Sequence, residues 1–61
     1  MNSKQAKRFL ASKGCSFEPG MGSHLIVRLG TRRSVLPMHG AKELGKGLWN
    51  AILKQLDLKE E

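Results

Sequence analysis

Residues 24–36 constrain the fold of this chain more than any other segment, because their pattern predicts a single β-hairpin. Apolar side chains recur at alternate positions from His24 to Leu29, which is the period of a strand with one buried face. Gly30 and Thr31 follow, and a glycine at the first of two turn positions is typical of a type II′ turn. The strand pairs that this turn predicts are Leu25 with Leu36, Ile26 with Val35, Val27 with Ser34, Arg28 with Arg33, and Leu29 with Arg32.

The two faces of the first hairpin strand differ in character. One face is uniformly apolar and is predicted to cover the core. Its residues are Leu25, Val27 and Leu29. The opposite face has Ile26 between His24 and Arg28, and the predicted register adds Arg33 beside Arg28. A turn one residue longer would move Arg33 to the core side, so this outer face depends on the turn length.

Helices are predicted at both ends of the chain. Ser3 is a suitable N-cap for a helix over residues 4–13, and Gly14 is a suitable residue to end it. A second helix is predicted over residues 46–56, and the tail after it, residues 57–61, is expected to fray. The apolar stripe of the first helix comprises Ala6, Phe9 and Leu10. The apolar repeat of the second already begins at Leu44, but Gly45 and Gly47 leave the start of the helix open. This repeat comprises Leu44, Leu48, Ile52, Leu53 and Leu56, with Trp49 at its edge.

The remaining segments complete one domain over residues 1–61. A short strand is predicted over residues 15–18, with Cys15 and Phe17 facing the core, and a turn over residues 19–23. Pro37 is expected to end the third strand or to mark it as an edge strand, and residues 38–43 are expected to form a loop or loose turn. The order α-β-β-β-α predicts an α+β fold in which a three-stranded antiparallel sheet has two helices on one face.

The charge of the chain predicts a polyanionic partner. Eleven Lys and Arg residues against five acids give a formal net charge of +6. Nucleic acid is the first expectation, an acidic protein the second and anionic lipid the third. The alternative is that the lysines and arginines only form a solvated basic surface on an ordinary small protein and bind no specific partner.

Cysteine content and hydropathy predict a cytoplasmic protein. Cys15 has no partner for an internal disulfide, which suits a reducing compartment. We expect its thiol to act as a small buried apolar group and not as a nucleophile. No run resembles a signal peptide or a membrane span, so no membrane partner is expected.

Metal-dependent chemistry has few candidate ligands here. A zinc site needs three or four Cys, His or carboxylate ligands, and the chain has two histidines and one cysteine. A two-metal nuclease needs clustered carboxylates, and none occur between Glu18 and Glu43. We therefore expect neither a metal nor a cofactor. Acid–base chemistry by His24 or His39 remains, because histidine is the side-chain type that titrates near neutral pH.

His24 is the stronger candidate because it directly follows a glycine-rich turn. RNA supplies its own nucleophile, the 2′-hydroxyl, so its cleavage needs proton transfer and neutralised phosphate charge. One positioned histidine contributes about 10²–10⁴-fold to such a step. Gly22 allows close backbone approach and Ser23 offers a further donor. Taken alone, however, a Gly-Ser-His sequence is a weak signal, because strand histidines are more often structural.

A resemblance to a known family strengthens this hypothesis. Gly22-Ser23-His24 opening an apolar strand, then Pro37-Met38-His39, then a helix ending in the sequence AILKQL at residues 51–56, resembles the HicA (YcfA-like) toxins of bacterial type II toxin–antitoxin systems. The resemblance covers nearly the whole chain. It implies a fold like that of double-stranded-RNA-binding domains, metal-independent cleavage of mRNA and inhibition by a HicB antitoxin. It also places the family's catalytic histidine on His24, while His39 has no role that the resemblance defines.

Two hypotheses of different classes follow. In the first, the chain is an RNA-cleaving toxin in which His24 transfers the proton as base, acid or both. Its RNA-binding residues are then Gly22, Ser23, Arg28, Arg32, Arg33 and Lys7, with His39 as a possible participant. In the second, the chain only binds double-stranded RNA or the ribosome through the same basic surface.

Overall fold

The computed structural model describes residues 1–38 and 42–58, which form two helices and one three-stranded antiparallel sheet with strand order β1-β2-β3. The elements are α1 (Ser3–Ser12), β1 (Ser16–Pro19), β2 (His24–Leu29), β3 (Arg32–Pro37) and α2 (Lys46–Gln55). The predicted α+β class and the order α-β-β-β-α are confirmed.

The β2–β3 hairpin has the predicted register. Every predicted pair is present, and His24 opposite Pro37 extends the ladder by one pair. Gly30 adopts a φ of +62°, which the first position of a type II′ turn requires and which glycine tolerates best. The two-residue turn therefore decides which side chains of β2 and β3 share a face.

Both helices cover the apolar face of the sheet. Side chains of α1, α2, β2 and β3 meet in one buried cluster of Ala6, Leu10, Cys15, Val27, Leu36, Leu44, Trp49, Ile52, Leu53 and Leu56. The Ser34 hydroxyl, which faces the same way, donates a hydrogen bond of 2.6 Å to Gln55 Oε1 on α2. The other face of the sheet is left without a helix among the described residues.

The N-cap of α1 is Asn2, and the predicted cap Ser3 is wrong. Asn2 Oδ1 accepts from the Gln5 amide and Gln5 Oε1 accepts from the Asn2 amide, both at 2.9 Å. This reciprocal pair satisfies two amides that the helix leaves without partners. Ser3 is instead the first helical residue and is fully buried. Gly14 ends the helix at a φ of +91°, as predicted.

In α2 the roles expected for Leu48 and Trp49 are exchanged. Trp49 is buried and packs edge-on against Phe9, with ring centroids 5.6 Å apart, whereas Leu48 is 42% exposed. Trp49 lies three and four residues before Ile52 and Leu53, so it shares their face of the helix. The larger ring fills the space above α1, and Leu48 turns toward the edge of the sheet.

The expectation that the tail frays from residue 57 is wrong for its first two residues. The Leu58 amide donates to the Leu53 carbonyl at 2.8 Å, and the Asp57 amide donates to the Lys54 carbonyl at 3.2 Å. Asp57 has a φ of +59°, so this end of α2 is a Schellman motif. Leu58 also packs against the core. Residues 59–61 lie outside the described part of the chain.

The turn between β1 and β2 requires glycine at two positions. β1 lies one residue later than predicted and includes Pro19, which is tolerated because β1 is an edge strand. A Cβ on Gly20 would lie 3.0 Å from the His24 carbonyl oxygen. Gly22 has a φ of +58° in the turn that the His24 amide closes on the Met21 carbonyl. Both glycines therefore fix the entry of His24 into β2.

We predict that Leu36→Ala lowers the free energy of unfolding by about 2–5 kcal/mol, because Leu36 is fully buried between the sheet and the helices. The neighbouring change Val35→Ala, on the exposed side of the same strand, should cost about 1 kcal/mol or less. Urea denaturation followed by circular dichroism measures both. Equal losses would contradict the assignment of the two faces.

We predict opposite effects for one chemical change at two glycines. Gly20→Ala should lower the melting temperature and shift the NMR signals of His24, because the new methyl group presses on the His24 carbonyl. Gly47→Ala should raise the melting temperature slightly, since a Cβ there meets nothing within 4 Å and alanine favours helix. Unchanged His24 signals in Gly20→Ala would show that the turn does not position the histidine.

Candidate active site

The sheet face away from the helices contains the candidate site. His24 is exposed at the start of β2, and Ile26 and Arg28 follow it on the same face. Opposite them on β3 lie Val35 and Arg33. The structure therefore brings together the histidine and two of the predicted arginines on one open surface.

Arg28 and Arg33 form a like-charged pair that Glu18 partly neutralises. The two arginines are directly opposite in the ladder, an arrangement that is unfavourable without a counterion. Arg28 Nε lies 2.5 Å from Glu18 Oε2, and both side chains are 48% exposed. An ion pair at this exposure contributes only about 0–1 kcal/mol. A phosphate group can therefore compete with Glu18 for Arg28 at little cost.

The arginine pair lies some way along the strand from the histidine. His24 and Arg28 are four positions apart on an extended strand, which is about 13 Å between their Cα atoms at the usual rise. A single phosphate group does not span that distance. The geometry therefore suits a nucleic-acid strand running along β2, with one phosphate at His24 and another at the arginines.

The glycine turn forms the other border of the site. Gly22 and Ser23 are exposed and immediately precede His24. The Ser23 carbonyl accepts a hydrogen bond of 3.2 Å from the Met38 amide, so the turn is tied to the end of β3. With no side chain at residue 22, a ligand can approach the backbone closely.

Two predicted RNA-binding residues lie on other surfaces. Arg32 is opposite Leu29 on the helix-covered side, and its Nη2 atom lies 3.9 Å from Asp57 Oδ2. Lys7 projects from α1, with Nζ 5.5 Å from the centre of the Phe17 ring. Neither residue is grouped with His24. His39 lies outside the described residues.

Glu18 is the residue of this face that sequence reasoning missed. Its contact with Arg28 crosses from β1 to β2 and depends on the register of that pair, in which Glu18 faces Ile26. The β1–β2 connection is an irregular glycine turn, and its length alone does not predict a register. The only available signal was an acid in a short strand of an otherwise basic region.

Other chemistries find little support in the described residues. Cys15 is buried, and desolvation raises the pKa of its thiol, so the nucleophilic thiolate is disfavoured. Among residues 1–38 and 42–58, no three His, Cys, Asp or Glu side chains are grouped as a metal site would require. No helix in these two ranges is long and apolar enough to cross a bilayer.

Comparison with known proteins gives consistent matches along almost the full chain. The family model described as the HicA toxin of bacterial toxin–antitoxin matches residues 3–58. A "Probable mRNA interferase HicA" of Pseudomonas fluorescens (strain Pf0-1) is 45% identical over 60 residues, which is 98% of this chain and all of the relative. A "Probable mRNA interferase toxin HicA" of Escherichia coli (strain K12) is 41% identical over 58 residues, which is 95% of this chain and 98% of the relative.

A solved structure agrees with these relatives. The match is to a chain in the crystal structure of the E. coli HicAB toxin–antitoxin complex, with a TM-score of 0.84 and 40% sequence identity. It covers 95% of this chain and all of the matched chain. Family model, relatives and fold point to one conclusion, and the chain belongs to the HicA toxin family.

Proposed function

We propose that this chain is the toxin of a HicA/HicB-type pair, an endoribonuclease that cleaves mRNA in the cytoplasm. The observation on which the proposal depends is the exposed His24 at a glycine turn, on the same open sheet face as Arg28 and Arg33. The relatives named as mRNA interferases support the same activity. Their names also specify RNA as the polyanion that a net charge of +6 favours.

The proposed reaction uses the nucleophile of the substrate. The 2′-hydroxyl oxygen of one nucleotide bonds to the adjacent phosphorus, and the bond from phosphorus to the 5′-oxygen breaks. The products are a 2′,3′-cyclic phosphate and a free 5′-hydroxyl. One proton leaves the 2′-oxygen and one reaches the 5′-oxygen, and His24 carries out at least one of these transfers. The step requires no metal ion and no cofactor.

Binding of the RNA strand is assigned to the groups around His24. Backbone donors at Gly22 and Ser23 lie next to the reacting phosphate and stabilise its developing charge. Arg28 and Arg33 hold a second phosphate further along the strand, where they position the RNA. Arg32 and Lys7 lie on other surfaces, where they contact only those parts of an RNA that extend beyond the face of His24.

Inhibition follows from the exposure of the site. We propose that a HicB-type antitoxin binds the chain and prevents RNA from reaching the outer face of the sheet. The structural match to a chain from a toxin–antitoxin complex supports such a partner. Because the site is an open surface and not a deep cleft, a second protein can cover it without rearrangement of the toxin.

We predict that His24→Ala lowers the RNA cleavage rate by about 10²–10⁴-fold, because the proton-transfer group is lost. Cleavage by the unchanged chain should be the same with and without EDTA. Thr31→Ala, at the far end of the hairpin, serves as the control and should cleave normally. Gel analysis of a labelled RNA measures cleavage, and growth arrest on expression without antitoxin is the cellular counterpart.

Two outcomes would contradict this proposal differently. If His24→Ala cleaves RNA and arrests growth as the unchanged chain does, the histidine is not the catalytic group. If the unchanged chain retards RNA in a gel but never shortens it, the alternative of a non-catalytic RNA-binding module is correct. In that second case, removal of arginine charge should affect the chain more than loss of His24.

We predict that Arg33→Gln weakens RNA binding and reduces the salt dependence of the logarithm of affinity by about 0.7, the value for one lost phosphate contact on a single strand. Arg32→Gln removes the same charge from the other side of the same strand and should lower the cleavage rate less. Fluorescence anisotropy at several salt concentrations measures affinity. Equal losses of cleavage in the two variants would contradict an RNA path along the outer face.

A further inference from the structure

Among the described residues, the outer edge of β3 has no further strand beside it, and together with the flank of α2 it forms a second surface. This surface adjoins the face of His24 and shares Arg33 and Val35 with it. Within the described residues, the large apolar side chains with high exposure are Met21, Val35 (47%) and Leu48 (42%). Val35 and Leu48 border the same groove, which has a volume of about 430 Å³. The groove is lined by Arg33, Ser34, Val35, Leu48, Ala51, Ile52 and Gln55. Exposed apolar side chains concentrated in one groove are typical of a protein-binding surface.

The backbone of β3 is also oriented for a partner. The hydrogen bond from the Met38 amide to the Ser23 carbonyl identifies that pair as a hydrogen-bonded one. Bonding alternates along an antiparallel ladder, so Ser34 and Leu36 bond to β2, while the amides and carbonyls of Arg33 and Val35 point away from it. β3 is an edge strand, and these groups are available to a fourth strand.

We propose that this edge binds an extended strand of the antitoxin, which would add to the sheet beside β3 and place alternate side chains in the groove. The inference depends on the proposed function, because it names the surface that the HicB-type partner uses. Strand addition of this kind takes its affinity from main-chain hydrogen bonds and its specificity from pockets for alternate side chains.

Charge favours such a partner over a second copy of this chain. Two copies would each bring a net charge of +6 to the interface, and Arg33 borders the groove on each. A strand with an apolar residue for the space between Val35 and Leu48 and a carboxylate beside Arg33 satisfies both features. Pro37 lacks an amide hydrogen, so the pairing is limited to the part of β3 before it.

This binding mode would also affect RNA. A carboxylate bound to Arg33 occupies the residue that is paired with Arg28 on the outer face. The antitoxin would then compete with a phosphate at the arginine pair without any contact to His24.

The first test is a matched pair of substitutions on α2. Leu48→Lys places a charge in the groove, whereas Asn50→Lys places the same charge on an exposed position of the same helix outside it. With a purified HicB-type antitoxin as the probe, Leu48→Lys should weaken binding at least about tenfold. Asn50→Lys should stay within about twofold of the unchanged chain. Both variants should keep the RNA cleavage rate, because neither residue belongs to the catalytic face.

The second test measures hydrogen exchange of the β3 backbone amides in the free chain and in the toxin–antitoxin complex. The amides of Arg33 and Val35 should exchange rapidly in the free chain and become protected in the complex, while the Ser34 amide, already bonded to β2, should change little. If the antitoxin binds but Arg33 and Val35 stay unprotected and Leu48→Lys binds normally, this inference is overturned and the proposed function stands. If the unchanged chain neither binds the antitoxin nor cleaves RNA, the proposed function fails and this inference with it.

Discussion

The register between β2 and β3 is the constraint on which the rest of the structure depends. Side chains on a strand alternate between two faces, so a shift of one residue would exchange the core side chains with those of the open face. In the observed register Val27 and Leu36 are fully buried and His24 and Arg28 are exposed. The two-residue turn at Gly30 holds this register, and the apolar face reinforces it.

Packing on one side of the sheet creates the site on the other. A chain of 61 residues buries only about 60% of the surface that its unfolded form exposes, so it has material for one core layer. Both helices pack on the apolar face. Each helix ends in backbone hydrogen bonds that follow its last turn. The opposite face stays open to solvent among the described residues, and it carries His24, Arg28 and Arg33 beside the apolar pair Ile26 and Val35. An open basic surface is what a long polyanion needs.

The hairpin and its faces could be predicted from the sequence because local rules decide them. Glycine at the turn and the alternation of side chains along His24–Leu29 allow few registers for the hairpin. Where two neighbouring residues both suit one structural role, it was harder to predict which of them takes it. Asn2 and Ser3 are both good caps, and only the reciprocal bond with Gln5 selects Asn2. Leu48 and Trp49 both fit an apolar stripe, and the contact with Phe9 on the other helix decides between them.

The candidate site was predictable in part for the same reason. His24, Arg28 and Arg33 belong to one hairpin, and its register groups them. Arg32 was expected to act with them, yet alternation puts it on the opposite side, a consequence already contained in the predicted pairs. The contribution of Glu18 depends on how β1 aligns with β2, and no local pattern determines that alignment.

The central claim is that RNA runs along the open face past His24. NMR chemical-shift mapping tests it most directly, with an RNA strand whose 2′-hydroxyl groups are replaced by hydrogen so that it binds without being cleaved. If RNA follows this path, the largest shifts fall on Ser23, His24, Arg28 and Arg33. Shifts confined to the lysines of α1, with the imidazole of His24 unmoved, would contradict it.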